Sequence, residues 1–193
     1  AYNRRFYSST LKAKELIKED GGVESFNFEF TEWSNEINML PLSDRVKKNW
    51  FLANSSHVLD LSFFLGGKPT KMSCYASGKK KLNWHPSYSK FSGAGITDSG
   101  ALFSYNANWC APGRWFVEML TNKNRFIFKP LEALKVQKIG SIKIDDVKLD
   151  DEIDKKFKPG LFRQTESFLG NCENLLRIDE HLALVKKYLK IIN

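Results

Sequence analysis

The stretch Asn54-Ser-Ser-His57-Val-Leu-Asp60-Leu-Ser-Phe-Phe-Leu-Gly-Gly67-Lys-Pro69 decides the fold, because it predicts a short amphipathic helix with a clear start and end. Ser55 or Ser56 can cap the free N–H groups at the start, since a serine oxygen accepts hydrogen bonds there. Apolar residues then recur at helical spacing, and the two glycines followed by proline end the helix. We therefore expect this helix to bury one face against a core.

His57 lies in the predicted opening turn of this helix. The positive end of the helix dipole disfavours a second proton on an imidazole, so the expected form is a neutral ring that can give or take a proton near pH 7. Spacing alone leaves two interpretations open. The ring is either a proton-transfer group or, as is more common at helix starts, a structural residue held by hydrogen bonds.

The composition is that of a globular protein rich in aromatic side chains. The 193 residues are 42% hydrophobic and include 15 Phe and five Trp, which disfavours disorder. The sequence contains no apolar run of membrane-spanning length and no signal peptide, so we predict a cytoplasmic protein without a membrane contact. Cys74, Cys110 and Cys172 are widely spaced, which predicts reduced, mostly buried thiols and no metal site.

The net charge of +8 fits three interpretations: a nucleic-acid partner, an anionic metabolite or a lysine-rich surface. The only cationic triplet, Lys79 to Lys81, lies beside Gly78 in a predicted loop. No nucleic-acid-binding motif accompanies it. A basic nucleic-acid-binding domain is therefore the least favoured of the alternatives.

Strand patterns dominate the chain after Pro69. We predict strands over 71–76, 101–107, 114–120, 125–129 and 134–139, with a hairpin turn at 121–124 and a long polar loop over 78–99. Before Pro69 we predict a strand at residues 1–7, a helix over 11–19, a strand that places Phe26, Phe28 and Phe30 on one face, and an irregular segment over 33–42. Further helices are predicted over 161–169 and from 178 onward.

These elements predict an α+β fold with a sheet that has two apolar faces, each of which must pack against another part of the protein or against a second subunit. Trp115, Val117 and Met119 alternate with Phe116, Glu118 and Leu120, so both faces carry large apolar groups. Helices can cover one face. The other face then needs a second subunit or another domain, and we expect a homo-oligomer.

Sequence motifs for nucleotide binding and for common catalytic centres are absent. The nearest match to the dinucleotide-binding pattern G-x-G-x-x-G is Gly93-Ala-Gly95-Ile-Thr-Asp98, which has Asp at the third glycine position and lies in the predicted polar loop. The P-loop, the G-x-S-x-G elbow and the H-E-x-x-H pattern do not occur. We expect no cofactor to be bound by this chain.

An ordered set of segments resembles the C-terminal half of the Gfo/Idh/MocA oxidoreductases. The set spans nearly the whole chain, although each piece alone is degenerate. Its members are Ala1-Tyr-Asn-Arg-Arg5-Phe-Tyr, Asn54-Ser-Ser-His57-Val-Leu-Asp60 with Gly66-Gly-Lys-Pro69, Asn108-Trp-Cys-Ala-Pro-Gly-Arg-Trp115, Gly160-Leu-Phe-Arg-Gln164-Thr-Glu-Ser-Phe168-Leu, and the terminal helix from His181 to Ile192.

The resemblance implies the back half of an NAD(P)-dependent dehydrogenase of sugars, polyols or nucleotide sugars. Residues 1–193 would form one substrate-binding and oligomerisation domain with a large, mostly antiparallel sheet, helices packed on one face and the other face available for oligomerisation. Residues 1–7 would be the remnant last strand of a missing N-terminal Rossmann domain, which would hold NAD or NADP. The isolated fragment would then be inactive.

The resemblance also assigns candidate site residues. His57 matches the family's active-site histidine, and Asn3 and Arg5 match positions that border the substrate pocket. Trp50, Asn54 and Gln164 are further substrate-binding candidates, although Trp50 could be a core anchor and Asn54 only a helix cap.

Two departures from the family pattern leave an alternative open. The lysine of the family's Glu-Lys-Pro motif is absent, and the acidic residue often found four positions before the histidine is Ala53 here. The chain could therefore be a non-catalytic binding or scaffold protein that kept the fold.

Overall fold

The computed structural model describes residues 2–192, which form one eight-stranded sheet and seven α-helices. The strands are β1 (Ser25–Glu29), β2 (Pro69–Ser77), β3 (Lys90–Thr97), β4 (Leu102–Asn108), β5 (Phe116–Leu120), β6 (Asn124–Phe128), β7 (Lys135–Lys138) and β8 (Ile144–Asp146). The helices are α1 (Ser8–Glu19), α2 (Ser34–Met39), α3 (Asp44–Lys48), α4 (Ser56–Gly66), α5 (Glu152–Lys156), α6 (Leu161–Leu169) and α7 (Ile178–Ile192). A 3₁₀ helix at Asn3–Phe6 and a π-helix at Phe51–Ser55 complete the elements.

The sheet is mostly antiparallel, with the strand order β2-β3-β4-β1-β5-β6-β7-β8. β1 lies inside it, parallel to β4 and antiparallel to β5. All other neighbours pair antiparallel. The predicted α+β class and sheet type are therefore confirmed.

The core lies between one face of the sheet and α4 with α7. Phe26, Phe28 and Phe30 of β1 are almost fully buried on this face, as their alternation predicts. Burial of each such side chain stabilises the fold by about 1.5–3 kcal/mol. Phe63 of α4 stacks on Tyr188 of α7 with ring centroids 5.8 Å apart, and both helices pack against the sheet, α4 on β1 and β5 and α7 on β2 and β3.

Helix α4 ends with Gly66, a position where close packing requires glycine. A Cβ at Gly66 would overlap the Phe26 ring. Gly67 follows with φ of 97°, a backbone conformation that glycine adopts readily. The end of α4 predicted from the sequence is confirmed.

The opposite face of the sheet is open in the part of the chain that the structure describes. Tyr75 and Leu102 on this face are 71% and 61% exposed, among small polar residues such as Ser104 and Asn106. Phe116, Glu118 and Leu120, which lie on this face of β5, are half-buried. This face is therefore more polar than the alternation of large apolar groups on β5 alone predicts.

The predicted polar loop over 78–99 is wrong for its second half, which forms β3 between β2 and β4. Gly93 and Gly95 lie inside β3. Both positions require glycine, because a Cβ at Gly93 would overlap the Tyr105 side chain and a Cβ at Gly95 would overlap the Phe103 ring. Glycine here makes room for aromatic residues on β4. In a single sequence the same glycines look like loop residues.

Several smaller sequence predictions also need correction. Residues 3–6 form a 3₁₀ helix rather than a strand, while Ala1 lies outside the described residues. The segment predicted to be irregular contains α2, and Cys110 and Cys172 are exposed rather than buried. None of the helices within residues 2–192 is long and apolar enough to cross a membrane.

The start of α4 differs from the prediction in a way that affects His57. The π-helix Phe51–Ser55 runs directly into α4, and Ser55 has helical backbone angles and makes no capping hydrogen bond. His57 therefore has helical backbone on both sides and does not face a free helix N-terminus. The prediction that a helix dipole keeps the ring neutral is therefore wrong.

Candidate active site

A pocket of about 510 Å³ opens beside the junction of the π-helix and α4. His57 and Ala53 line it from this junction, and Gln164 and His181 line it from α6 and α7. Its other walls are mainly apolar, and they are formed by Leu52, Phe168, Leu175 and Leu176, together with Tyr2, Ser56, Cys172 and Arg177. Such a cavity, with a few polar groups converging in apolar walls, is typical of a small-molecule site.

Burial keeps the His57 ring neutral. It lowers the pKa of His57 to about 3, and the nearby positive charges of Arg4 and Lys158 act in the same direction. The Nδ1 atom is buried and has no hydrogen-bond partner among residues 2–192. A buried polar atom without a partner costs stability, so Nδ1 of His57 is a polar atom that the described part of the fold leaves unsatisfied.

Tyr2 stands between two imidazole rings in this pocket. Its ring meets His57 edge-on at a centroid distance of 5.1 Å and meets His181 edge-on at 5.4 Å. Its hydroxyl lies 3.2 Å from His181 Nε2 and 3.2 Å from Ser56 Oγ. Tyr2 therefore joins α4 to α7 at the site.

Arg5 and Asp60 hold the segment that carries Tyr2 against α4. The Arg5 Nε and Nη2 atoms donate to the two Asp60 carboxylate oxygens at 2.7 and 2.6 Å. Both side chains are buried, at 9% and 0% exposure. Since Arg5 also stacks on Phe64, its guanidinium is fully engaged inside the protein. It does not line the pocket around His57.

Two other predicted substrate-binding residues lie on the far side of the π-helix, around Glu32. Asn54 Nδ2 donates to Glu32 Oε1 at 3.1 Å, and Ser55 Oγ donates to the same oxygen at 2.6 Å. Burial raises the pKa of Glu32, and these hydrogen bonds oppose the rise. Trp50 packs edge-on against Trp84 with centroids 6.3 Å apart. Neither Asn54 nor Trp50 lines the pocket around His57.

Of the two remaining predicted substrate-binding residues, one lines the pocket and the other does not. Gln164 is only 9% exposed and lines the pocket, and its side-chain amide makes no hydrogen bond within residues 2–192. Asn3 donates from Nδ2 to the Pro159 carbonyl at 2.9 Å and lies outside the pocket lining. The structure thus brings His57 and Gln164 together and places Asn3, Arg5, Trp50 and Asn54 elsewhere.

Sequence reasoning missed Tyr2 and His181 as pocket residues. His181 looks like a residue of the polar side of α7, and only the packing of α7 beside α4 brings it to His57. The N-terminal segment carried a usable signal, because Tyr2 directly precedes the matched Asn3 and Arg5.

We expect His57 to make the fold less stable in acid. Its folded pKa of about 3 lies below the usual 6.5, so the stability it contributes is complete above pH 6.5 and falls as pH drops towards 3. His85, whose pKa burial lowers to about 4, acts in the same direction. The raised pKa of Glu32 acts in the opposite direction.

The contribution of His57 is therefore measured against the variant H57F by urea unfolding at about pH 7 and about pH 5. The variant should lose less stability over this range, by at most about 1.4 kcal/mol per pH unit and less for a partly exposed ring. Equal pH dependence in both proteins would contradict a buried, neutral His57.

No family model matches the sequence, and no curated protein matches it. Solved structures do match the fold. The chain is 21% identical over 76% of its length to levoglucosan dehydrogenase in complex with NADH and levoglucosan, with a TM-score of 0.58 and 45% of that chain covered. It is 11% identical over 99% of its length to UDP-N-acetylglucosamine 3-dehydrogenase GnnA from Acidithiobacillus ferrooxidans, with a TM-score of 0.66 and 58% of that chain covered.

A third match is a protein from Desulfitobacterium hafniense that is provisionally described as an NADPH-dependent oxidoreductase. The identity is 13% over 98% of this chain and 60% of that one, with a TM-score of 0.73. The chain thus spans between 45% and 60% of the length of these three structures. At this level of identity the matches establish the fold, and they confirm, for the fold, the resemblance to the C-terminal half of the Gfo/Idh/MocA oxidoreductases.

Proposed function

We propose that this chain is the substrate-binding and oligomerisation domain of a cytoplasmic, NAD(P)-dependent oxidoreductase. The substrate would be a hydroxyl group of a sugar, polyol or nucleotide sugar. The observation that carries the proposal is the neutral His57 ring, which lines a pocket together with Gln164. Two of the structural neighbours act on sugars by name, levoglucosan dehydrogenase and the UDP-N-acetylglucosamine dehydrogenase.

His57 is the proposed catalytic residue, and Gln164 is the substrate-binding residue with the most direct support. A neutral imidazole can hydrogen-bond a substrate hydroxyl and take up its proton as the alcohol is oxidised. Because a pKa of about 3 makes His57 a weak base on its own, this role requires the bound substrate or the cofactor domain to raise that pKa. A primary amide can bind a neighbouring hydroxyl, since it offers both donors and an acceptor. The roles of Asn3, Arg5, Trp50 and Asn54 in substrate binding stay predictions.

The nicotinamide cofactor would be held by an N-terminal Rossmann domain rather than by residues 2–192. A dinucleotide pyrophosphate is bound where a glycine-rich turn joins a strand to a helix. In the described residues the nearest pattern, Gly93 to Asp98, lies within and just beyond β3 and is followed by β4. The cofactor, when bound, accepts the hydride, and the chain studied alone would be inactive.

The proposal is tested by saturation-transfer NMR of the chain with levoglucosan and with L-sorbose. Both sugars should bind the wild-type chain, and H57F should weaken binding by about tenfold, the effect of one hydrogen bond. The control variant Lys138→Ala, at an exposed position on β7, should bind like wild type.

A parallel fluorescence titration with NADH should show no saturable binding. Sugar binding that H57F leaves unchanged would contradict the proposed site, and micromolar NADH binding would contradict the proposed division between two domains.

The open face of the sheet supports the proposed homo-oligomer. Tyr75 and Leu102 lie exposed on a wide surface formed by adjacent strands. We expect a dimer or larger species in sedimentation-velocity experiments at micromolar protein, and Leu102→Lys should shift the population towards monomer. A wild-type chain that stays monomeric would contradict this part of the proposal.

Ala53 supports one alternative, a non-catalytic binding or scaffold protein. It lines the same pocket as His57, so no carboxylate projects from this position to orient the ring. The alternative predicts that the chain joined to its cofactor domain binds NAD(P) and sugars but oxidises none of a broad polyol panel. Turnover of any member would exclude it.

A further inference from the structure

The hydrogen bonds around Tyr2 have a fixed direction. Ser56 Oγ donates its only proton to the Leu52 carbonyl at 2.7 Å. It can therefore only accept a hydrogen bond from the Tyr2 hydroxyl, 3.2 Å away. The Tyr2 oxygen, having used its proton on Ser56, can then only accept from His181 Nε2.

This row of hydrogen bonds selects one tautomer of His181. A neutral imidazole carries one N–H, and the bond made by one nitrogen determines the state of the other. Because Nε2 is the donor to Tyr2, the neutral ring must present Nδ1 as a bare acceptor. His181 thus keeps a hydrogen-bond acceptor on a ring that lines the pocket.

His181 lies on α7, a helix that is anchored to the core of the fold. Tyr188 and Ile191 of α7 are fully buried, which anchors the helix to the core. Near His181, Glu180 forms an ion pair with Lys68 at 2.9 Å, and Lys187 Nζ donates to the Pro69 carbonyl. Sites built on packed helices hold their geometry better than sites on loops.

We propose that His181 is a second substrate-binding residue of this pocket, which accepts a hydrogen bond at Nδ1 from a hydroxyl group of a polyhydroxylated ligand while Tyr2 holds the ring. It would supply from α7 the acceptor that Ala53 does not supply from the π-helix. The proposal deepens the proposed function and rests on it, because it assigns the same pocket to the same class of substrate.

The test uses long-range ¹H–¹⁵N NMR of the histidine rings in the full chain. In wild type at neutral pH, His181 should show a protonated Nε2 and an unprotonated Nδ1. In S56A the Tyr2 hydroxyl loses the oxygen to which it donates, so it can donate to His181 Nε2 instead. The tautomer population of the His181 ring should then shift towards the form protonated at Nδ1. A wild-type ring protonated at Nδ1, or a tautomer that S56A leaves unchanged, would overturn the proposal.

The second arm adds levoglucosan as the probe. Saturating sugar should shift the Nδ1 signal of His181 together with the ring signals of His57, and H181F should weaken binding by about tenfold. The matched variant Leu182→Ala, at the next, exposed position of α7, should bind like wild type. If only His57 shifts, or if H181F binds like wild type, the His181 proposal fails alone. If neither ring shifts, the proposed function fails and the His181 proposal fails with it.

Discussion

We expect Asp60→Asn to lower the free energy of unfolding by about 3–5 kcal/mol, the usual effect of leaving one partner of a buried ion pair without its counter-charge. Asp60 is completely buried, and both of its carboxylate oxygens accept hydrogen bonds from Arg5. Asparagine would keep the shape but remove the charge and one acceptor, so the Arg5 guanidinium would stay buried and uncompensated. Urea unfolding followed by circular dichroism measures the loss.

An exposed ion pair provides the matched control for this prediction. Glu180 pairs with Lys68 at 2.9 Å, and Lys68 is 55% exposed. Glu180→Gln should therefore cost less than about 1 kcal/mol. Equal losses in the two variants, or a loss below about 1 kcal/mol in Asp60→Asn, would contradict the view that the Arg5–Asp60 pair holds the N-terminal segment in place.

The second large effect is expected from His57→Asn in the protein joined to its cofactor domain. Removing a general base typically lowers turnover by about 10²–10⁴-fold, and we expect kcat to fall within this range. Asparagine cannot take up the proton of the substrate hydroxyl, although its amide can still hydrogen-bond that hydroxyl. Steady-state kinetics with a sugar that the wild type oxidises would measure kcat and KM separately.

The separation of kcat from KM makes this prediction specific. A group that acts in the chemical step lowers kcat, whereas a group that only binds raises KM. Gln164→Ala is the informative comparison, because Gln164 lines the same pocket and should act mainly on KM. A His57→Asn variant that keeps its full kcat would rule out proton transfer by His57.

Much of the fold could be predicted from the sequence because the signals were local. The alternation of Phe26, Phe28 and Phe30 identified the buried face of β1, and Gly66 with Gly67 identified the end of α4. Turn residues between β5 and β6 marked the hairpin correctly. In each case the decisive residues lie within a few positions of one another.

The wrong predictions concern segments whose structure depends on contacts with residues far away in the sequence. β3 forms because its glycines make room for Phe103 and Tyr105 on another strand. The π-helix joins α4 without a break, so Ser55 is a helical residue that donates to Glu32 instead of a helix cap. A single sequence carries no record of these contacts.

The candidate site, like the fold, could be predicted where the signal was local and not where it depends on contacts between distant segments. Local helix signals identified His57 as a notable residue, and its ring is neutral as expected, but its pKa of about 3 lies far below the pH of about 7 near which we expected it to exchange a proton. The cause is burial rather than a helix dipole, and burial depends on the packing of Tyr2 and α7. Arg5 matched a family pattern in the sequence, but its contact with Asp60 could be seen only in the fold.

A crystal structure of the chain grown with levoglucosan tests the central claim most directly. We predict that the sugar occupies the pocket between His57 and Gln164, with a hydroxyl oxygen about 2.6–3.2 Å from a ring nitrogen of His57. A sugar bound elsewhere, such as on the open face of the sheet, with the pocket filled only by solvent, would contradict the account.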